Sequence, residues 1–179
     1  MIRTALAITA ALLSTAAVSA ADLIIPTSPE PIYEAGGVSW EGLYVGARAG
    51  GQWFTAATYG VVGGVVGFNF MPADHVVLGA EATADYTWNN VRQGGEYFVN
   101  IRGGFLASEA VLIYALGGLG VYNSSDRTVG IFQLGGGVEF ALTDAVSIRG
   151  EVVGQGDYAN NNSPFFDTAK ATVGVAYHF

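Results

Sequence analysis

Between Trp40 and Phe179 the chain repeats one pattern in eight separate segments: apolar residues alternate with polar residues or glycine at a period of two. That period belongs to the extended strand, whose successive side chains point to opposite faces. In Leu43 to Trp53 the odd positions are Leu43, Val45, Ala47, Ala49, Gly51 and Trp53, and the even ones include Gly46, Arg48, Gly50 and Gln52. Val76 to Trp88 is the clearest case, with Val76, Leu78, Ala80, Ala82, Ala84, Tyr86 and Trp88 opposite Glu81, Thr83 and Asp85. Tyr97 to Phe105, Phe132 to Phe140, Val146 to Gln155 and Ala169 to Phe179 repeat the split. Tyr59 to Phe70 and Val111 to Tyr122 carry apolar or glycine residues on both faces, and their length and position make them strands two and five.

The connections alternate in character, as an up-and-down meander requires. Met71 to His75, Ala107 to Ala110 and Ala141 to Ala145 close one end, and Phe54 to Thr58, Asn89 to Gly95, Asn123 to Arg127 and Asp157 to Pro164 close the other. The reading is therefore all-β, with eight antiparallel strands in chain order.

Hydrophobic residues make up 51% of the 179, yet outside the N-terminus no stretch reaches the roughly 18 to 20 apolar residues of a spanning helix. The N-terminus itself reads as an address. Residues 1–20 carry Arg3, then an alanine- and leucine-rich run, then small residues: a signal peptide cleaved after Ala20 or Ala21. Residues 21–39, with Pro26, Pro29 and Pro31, read as an extended linker on the periplasmic side, and 40–179 as the barrel. A net charge of −8 argues against a nucleic-acid partner, since neutralising phosphates takes clustered cations, and the absence of cysteine excludes a disulfide framework.

Alternation alone does not say whether the apolar face looks at a core or at lipid. Three observations favour lipid. Aromatic residues stand near the strand ends, Tyr97 with Phe105 and Phe132 with Phe140 being eight residues apart. That spacing is about 26 Å of strand, or roughly 20 Å of height after tilting, close to the apolar band between the aromatic girdles of an outer-membrane barrel. Trp53, Tyr86, Trp88 and Phe165 extend one girdle, and Phe68, Phe70, Tyr177 and Phe179 the other.

The opposite face also collects charges of both signs, with Arg48, Arg102, Arg149 and Lys170 against Glu81, Asp85, Glu139 and Glu151. Such pairing suits an enclosed lumen, where an unpaired charge is costly. Glycine, finally, is abundant on that face, and eight strands enclose a space only just wide enough for side chains. The expected architecture is an eight-stranded antiparallel up-and-down transmembrane β-barrel with a charge-filled lumen.

The chain resembles the small eight-stranded outer-membrane barrels of Gram-negative bacteria, especially the opacity-type and alphaproteobacterial surface-antigen, porin-like group. The resemblance rests on Ser39-Trp40-Glu41-Gly42-Leu43-Tyr44-Val45-Gly46, Tyr114 to Leu119, Gly135-Gly136-Gly137-Val138-Glu139-Phe140 and the terminal Val173-Gly174-Val175-Ala176-Tyr177-His178-Phe179. It implies location in the outer membrane with both termini periplasmic, lipid as the surrounding partner, and delivery to the barrel-assembly machinery through Tyr177 and Phe179. The loops are short, which sets the chain apart from adhesive relatives.

No nucleophile, phosphate-loop, metal or cofactor motif stands in the sequence. His75 falls in a turn and His178 at the rim of the lumen, both read as structural. The expected function is therefore structural and non-enzymatic, without cofactor: a monomeric barrel contributing to envelope integrity. The alternative is a small selective or gated channel; an adhesin or a lipid-modifying enzyme has less support.

Overall fold

The structure, a computed structural model, describes residues 38–54, 57–125, 127–158 and 165–179. The expected signal peptide over 1–20, the linker up to residue 37 and residues 159–164 of the Asp157 to Pro164 connection lie outside them.

Eight strands follow in chain order: β1 (Gly42–Phe54), β2 (Ala57–Ala73), β3 (Val76–Trp88), β4 (Gln93–Ser108), β5 (Val111–Ser124), β6 (Thr128–Ala141), β7 (Val146–Asp157) and β8 (Thr168–His178). Each pairs antiparallel with its neighbours, and β1 pairs with β8 to close the barrel. Closure leaves no strand edge unpaired, which is what permits a sheet to stand in lipid.

The alternation sorts side chains as the period requires. The apolar positions point outward: Val99 is 68% exposed, Ile101 73% and Leu119 67%, whereas Arg48, Glu81, Arg102 and Glu139 are buried inside. In a water-soluble protein this would be an inverted arrangement. Around a hydrocarbon-facing barrel it is the stable one.

The two ends differ. Tight turns close one of them at Asp74-His75 and Glu109-Ala110, with a slightly longer bend over Leu142 to Ala145. His75 adopts a left-handed backbone (φ 66°) there. At this end the strands carry an apolar inner layer, Val77, Leu112, Tyr114 and Leu116, with Val153 behind it. Leu112, Tyr114 and Leu116 explain why β5 lacks a polar face in the sequence: the inner surface needs an apolar layer where it meets the chain's N-terminal approach.

The approach itself is a departure from expectation. The end of the linker does not stay outside, because Val38 is buried in the same cluster as Trp40, the first residue of the expected barrel. The Trp40 indole N–H donates to the Glu109 carbonyl at 2.9 Å, and its ring meets His178 edge-on at 5.8 Å. Val38 and Trp40 thus form an apolar floor across the turn end of the barrel.

Candidate functional site

The lumen is filled by one connected web of polar side chains. Arg48 forms a two-pronged pair with Asp85, Nε to Oδ1 at 2.8 Å and Nη2 to Oδ2 at 2.6 Å, while its Nη1 reaches Glu151 at 3.0 Å. Glu151 in turn accepts the Tyr114 hydroxyl at 2.9 Å. Nearer the turn end, Glu81 accepts from Tyr44 at 2.8 Å and Arg149 at 3.2 Å, and Arg102 lies 3.9 Å from the same oxygen. Arg102 donates to Glu139 at 3.1 Å and to Asn69 at 3.1 Å, with its guanidinium between the Tyr44 and Tyr114 rings at 4.9 and 4.8 Å. All eight charged residues singled out in the sequence lie inside and take part in this web.

Strand register explains how the side chains meet. Arg48 is level with Gly63 on β2, and Gly63 is level with Asp85 on β3, so the ion pair passes over a residue without a side chain. A Cβ at Gly63 would collide with the Asp85 carboxylate. The arrangement recurs. Tyr44 reaches Glu81 over Gly67, Arg102 reaches Asn69 over Gly79, Gln133 reaches Asn100 over Gly118, and Tyr114 reaches Glu151 over Gly137. Each glycine is therefore a gap through which two inward side chains on flanking strands bond. This is how eight strands accommodate so many long polar groups in a narrow interior.

One participant escapes the sequence reading. Glu96 is buried beside Asp85 in the same row of β3 and β4, so among the described residues the lumen holds five carboxylates against four basic side chains, not four against four. Neighbouring like charges repel, and Lys170 bridges them, with Nζ 2.9 Å from Asp85 and 2.8 Å from Glu96. Glu96 also accepts from Gln52 at 2.7 Å and Gln155 at 3.1 Å. The residue falls before the expected start of strand four because Gly94-Gly95 suggests a loop. In the fold both glycines are in the strand, with the Tyr122 and Tyr97 rings lying over them.

A serine, a histidine and a carboxylate also meet here, and their geometry is not that of a relay. Ser147 Oγ and Glu139 Oε1 both approach the same His178 nitrogen, Nε2, at 3.0 and 3.2 Å, and Ser147 donates directly to Glu139 at 2.6 Å. A nucleophile-activating histidine needs its two partners on opposite ring nitrogens, with the serine facing substrate. Here the group is sealed inside, and its chemistry is to saturate Glu139. Among the described residues no cluster of His, Cys, Asp or Glu could hold a metal ion.

The aromatic residues take up the two ends on the outside. Trp53, Tyr86, Trp88, Tyr97 and Phe165 are exposed toward the loop end, and Phe68, Phe70, Phe105, Phe140, Tyr177 and Phe179 toward the turn end. Phe132 is half-buried beneath Phe165 and Phe166, with ring centroids at 4.9 and 6.2 Å. Tyr177 and Phe179 contact each other edge to face at 5.1 Å.

Above the web, at the loop end, the barrel opens into a vestibule of about 710 Å³, floored by Gln52, Glu96 and Gln155.

Comparison with known proteins agrees with this architecture. The N-terminal β-barrel domain of Pseudomonas aeruginosa OprF superposes with a TM-score of 0.57 at 19% identity, covering 76% of this chain and 97% of that one. Neisserial surface protein A gives 0.54 at 14% identity over 80% of this chain and 99% of its own. Ail, the attachment invasion locus protein of Yersinia pestis, gives 0.51 at 16% identity over 78% and 99%. At such identities the likeness is one of fold. No curated protein is similar enough in sequence to count as a relative. The profile of the outer membrane protein beta-barrel domain, however, matches residues 8–179, so that this chain, an eight-stranded barrel apolar outside and ion-paired within, belongs to that outer-membrane family.

Proposed function

We propose that the protein is a structural element of the outer membrane, a closed and non-conducting monomeric barrel that contributes to envelope integrity. The observation that carries this reading is the filled lumen. Arg48, Glu81, Asp85, Arg102, Glu139, Arg149, Glu151 and Lys170 are buried among amide and phenol partners, and Val38 and Trp40 cover the turn end. A water-filled pore would leave such side chains hydrated and separated.

In this reading the turn end, with both chain termini, faces the periplasm, and residues 1–20 serve as the export signal. The aromatic rings at each end lie at the two lipid interfaces, where amphipathic and apolar rings partition favourably. Tyr177 and Phe179 present the last strand to the assembly machinery, and Phe179 is 72% exposed and available for it. Deletion of Phe179 is expected to lower the amount of folded barrel recovered from outer-membrane fractions; an unchanged folded yield at normal expression contradicts that role.

Loss of the protein tests the structural reading in cells. Cells lacking it should take up more of a dye that an intact outer membrane excludes, and re-expression should restore exclusion. Slower entry of small solutes with unchanged dye exclusion would replace the structural reading by the channel one.

A further inference from the structure

At a spacing of 70 residues the chain repeats itself: Tyr44, Gly60, Gly67, Phe70, Asp74, Val76 and Glu81 recur as Tyr114, Gly130, Gly137, Phe140, Asp144, Val146 and Glu151. Strand register repeats with them. Tyr44 stands level with Gly67 and Gly67 with Glu81, as Tyr114 does with Gly137 and Gly137 with Glu151. The resulting bonds are equivalent, the Tyr44 hydroxyl donating to Glu81 Oε2 at 2.8 Å and the Tyr114 hydroxyl to Glu151 Oε2 at 2.9 Å. On the outer face the Trp88 ring lies over Gly60, and Tyr158, again 70 residues on, lies over Gly130. β1–β3 and β5–β7 are thus two versions of one unit, and the turn at Glu109-Ala110 divides the barrel into a β1–β4 half and a β5–β8 half.

The cations do not repeat. Arg48 and Arg102 correspond to Gly118 and Thr172, while Arg149 and Lys170 correspond to Gly79 and Asn100. Each of the four reaches a carboxylate of the opposite half: Arg149 to Glu81 at 3.2 Å, Arg48 to Glu151 at 3.0 Å, Arg102 to Glu139 at 3.1 Å, and Lys170 to Asp85 at 2.9 Å and Glu96 at 2.8 Å. Glu81 and Glu151 therefore take a phenol from their own half and a guanidinium from the other. The halves complement each other rather than themselves, which specifies one closed arrangement.

The two kinds of bond also differ in reach along the chain. Each phenol bond joins residues 37 positions apart, whereas Arg149 lies 68 from Glu81, Lys170 85 from Asp85 and Arg48 103 from Glu151. Longer loops cost more chain entropy before a contact rewards their closure. We infer that the lumen web is an assembly device: the Tyr44–Glu81 and Tyr114–Glu151 bonds set each half by the transition state of folding, and the ion pairs of Arg48, Arg149 and Lys170 clasp the halves after it.

Folding and unfolding rates of the full mature chain in detergent, measured after urea jumps by the mobility of unboiled samples in gels, test this order. Tyr44→Phe and Tyr114→Phe keep the ring and lose the bond to a charged acceptor. Each should slow folding at least about threefold, to within about twofold of the other, with little change in unfolding. Lys170→Gln and Arg149→Gln should alter the folding rate by less than about twofold and speed unfolding at least about tenfold. Arg149→Lys, which retains the charge, reads the same step with a smaller rise in unfolding rate should the neutral variants not fold. Clasp variants that slow folding as much as the tyrosine variants would overturn the device. So would tyrosine variants that act on unfolding alone, or an effect at one tyrosine without the other.

Discussion

Glu139→Ala is expected to lower the unfolding free energy of the folded barrel by about 3 to 5 kcal/mol, measured as a fall in the urea midpoint. Glu139 is completely buried and accepts from Arg102, Ser147 and His178 at 3.1, 2.6 and 3.2 Å. Removing its carboxylate leaves Arg102 with Glu81 alone as a charged partner, at 3.9 Å, in an interior that offers no bulk water. Arg102 Nη2 already has no hydrogen-bond partner, so the guanidinium has little reserve. Most of the loss is the cost of a stranded charge rather than the worth of the pair, because desolvation offsets much of the attraction in any buried ion pair. Arg127→Ala, on an exposed loop, should hardly move the midpoint. Equal effects from the two substitutions would contradict the placement of Glu139 in a closed lumen.

Trp40→Ala is expected to cost a similar amount, about 3 to 5 kcal/mol, for a different reason. The indole fills the floor against Val77, Leu112 and Tyr114, donates to the Glu109 carbonyl, and covers His178. Truncation opens a cavity that strands held in closed register cannot collapse to fill. Trp40→Phe, which keeps most of the volume and loses only the donor, should cost about 1 kcal/mol. Trp53→Ala supplies the comparison, since Trp53 lies on the outer surface. A loss at Trp53 as large as at Trp40 would mean that the floor is not specifically packed.

The sequence makes the outer and inner faces legible because one strand's alternation needs no partner to interpret. Val76 to Trp88 reads the same alone as in the barrel. The charged residues of the lumen follow from that parity. What parity does not provide is register, which is set by eight strands closing on each other. The opposition of Arg48, Gly63 and Asp85 is invisible until β1, β2 and β3 are aligned. Glu96 is obscured because Gly94-Gly95 has the composition of a turn, although here the absent side chains leave space for tyrosine rings. Trp40 is obscured for a third reason. It opens the expected barrel but precedes the first alternating segment, so no parity assigns its side chain to a face, and its burial is decided by β5 and the Glu109 turn.

These features combine in one physical picture. The outer face dissolves in lipid, and the inner face is polar yet nearly dry, so it must satisfy itself. Glycine gaps let side chains bond across intervening strands, and Lys170 holds two adjacent carboxylates together. The apolar floor closes the end where the web thins.

Single-channel recording of the full mature chain in planar lipid bilayers tests that picture most directly. The closed lumen predicts that membranes containing folded protein show no stepwise current above that of protein-free membranes. Discrete, reproducible conductance steps whose ion selectivity changes with Arg102→Ala or Glu139→Ala would contradict it.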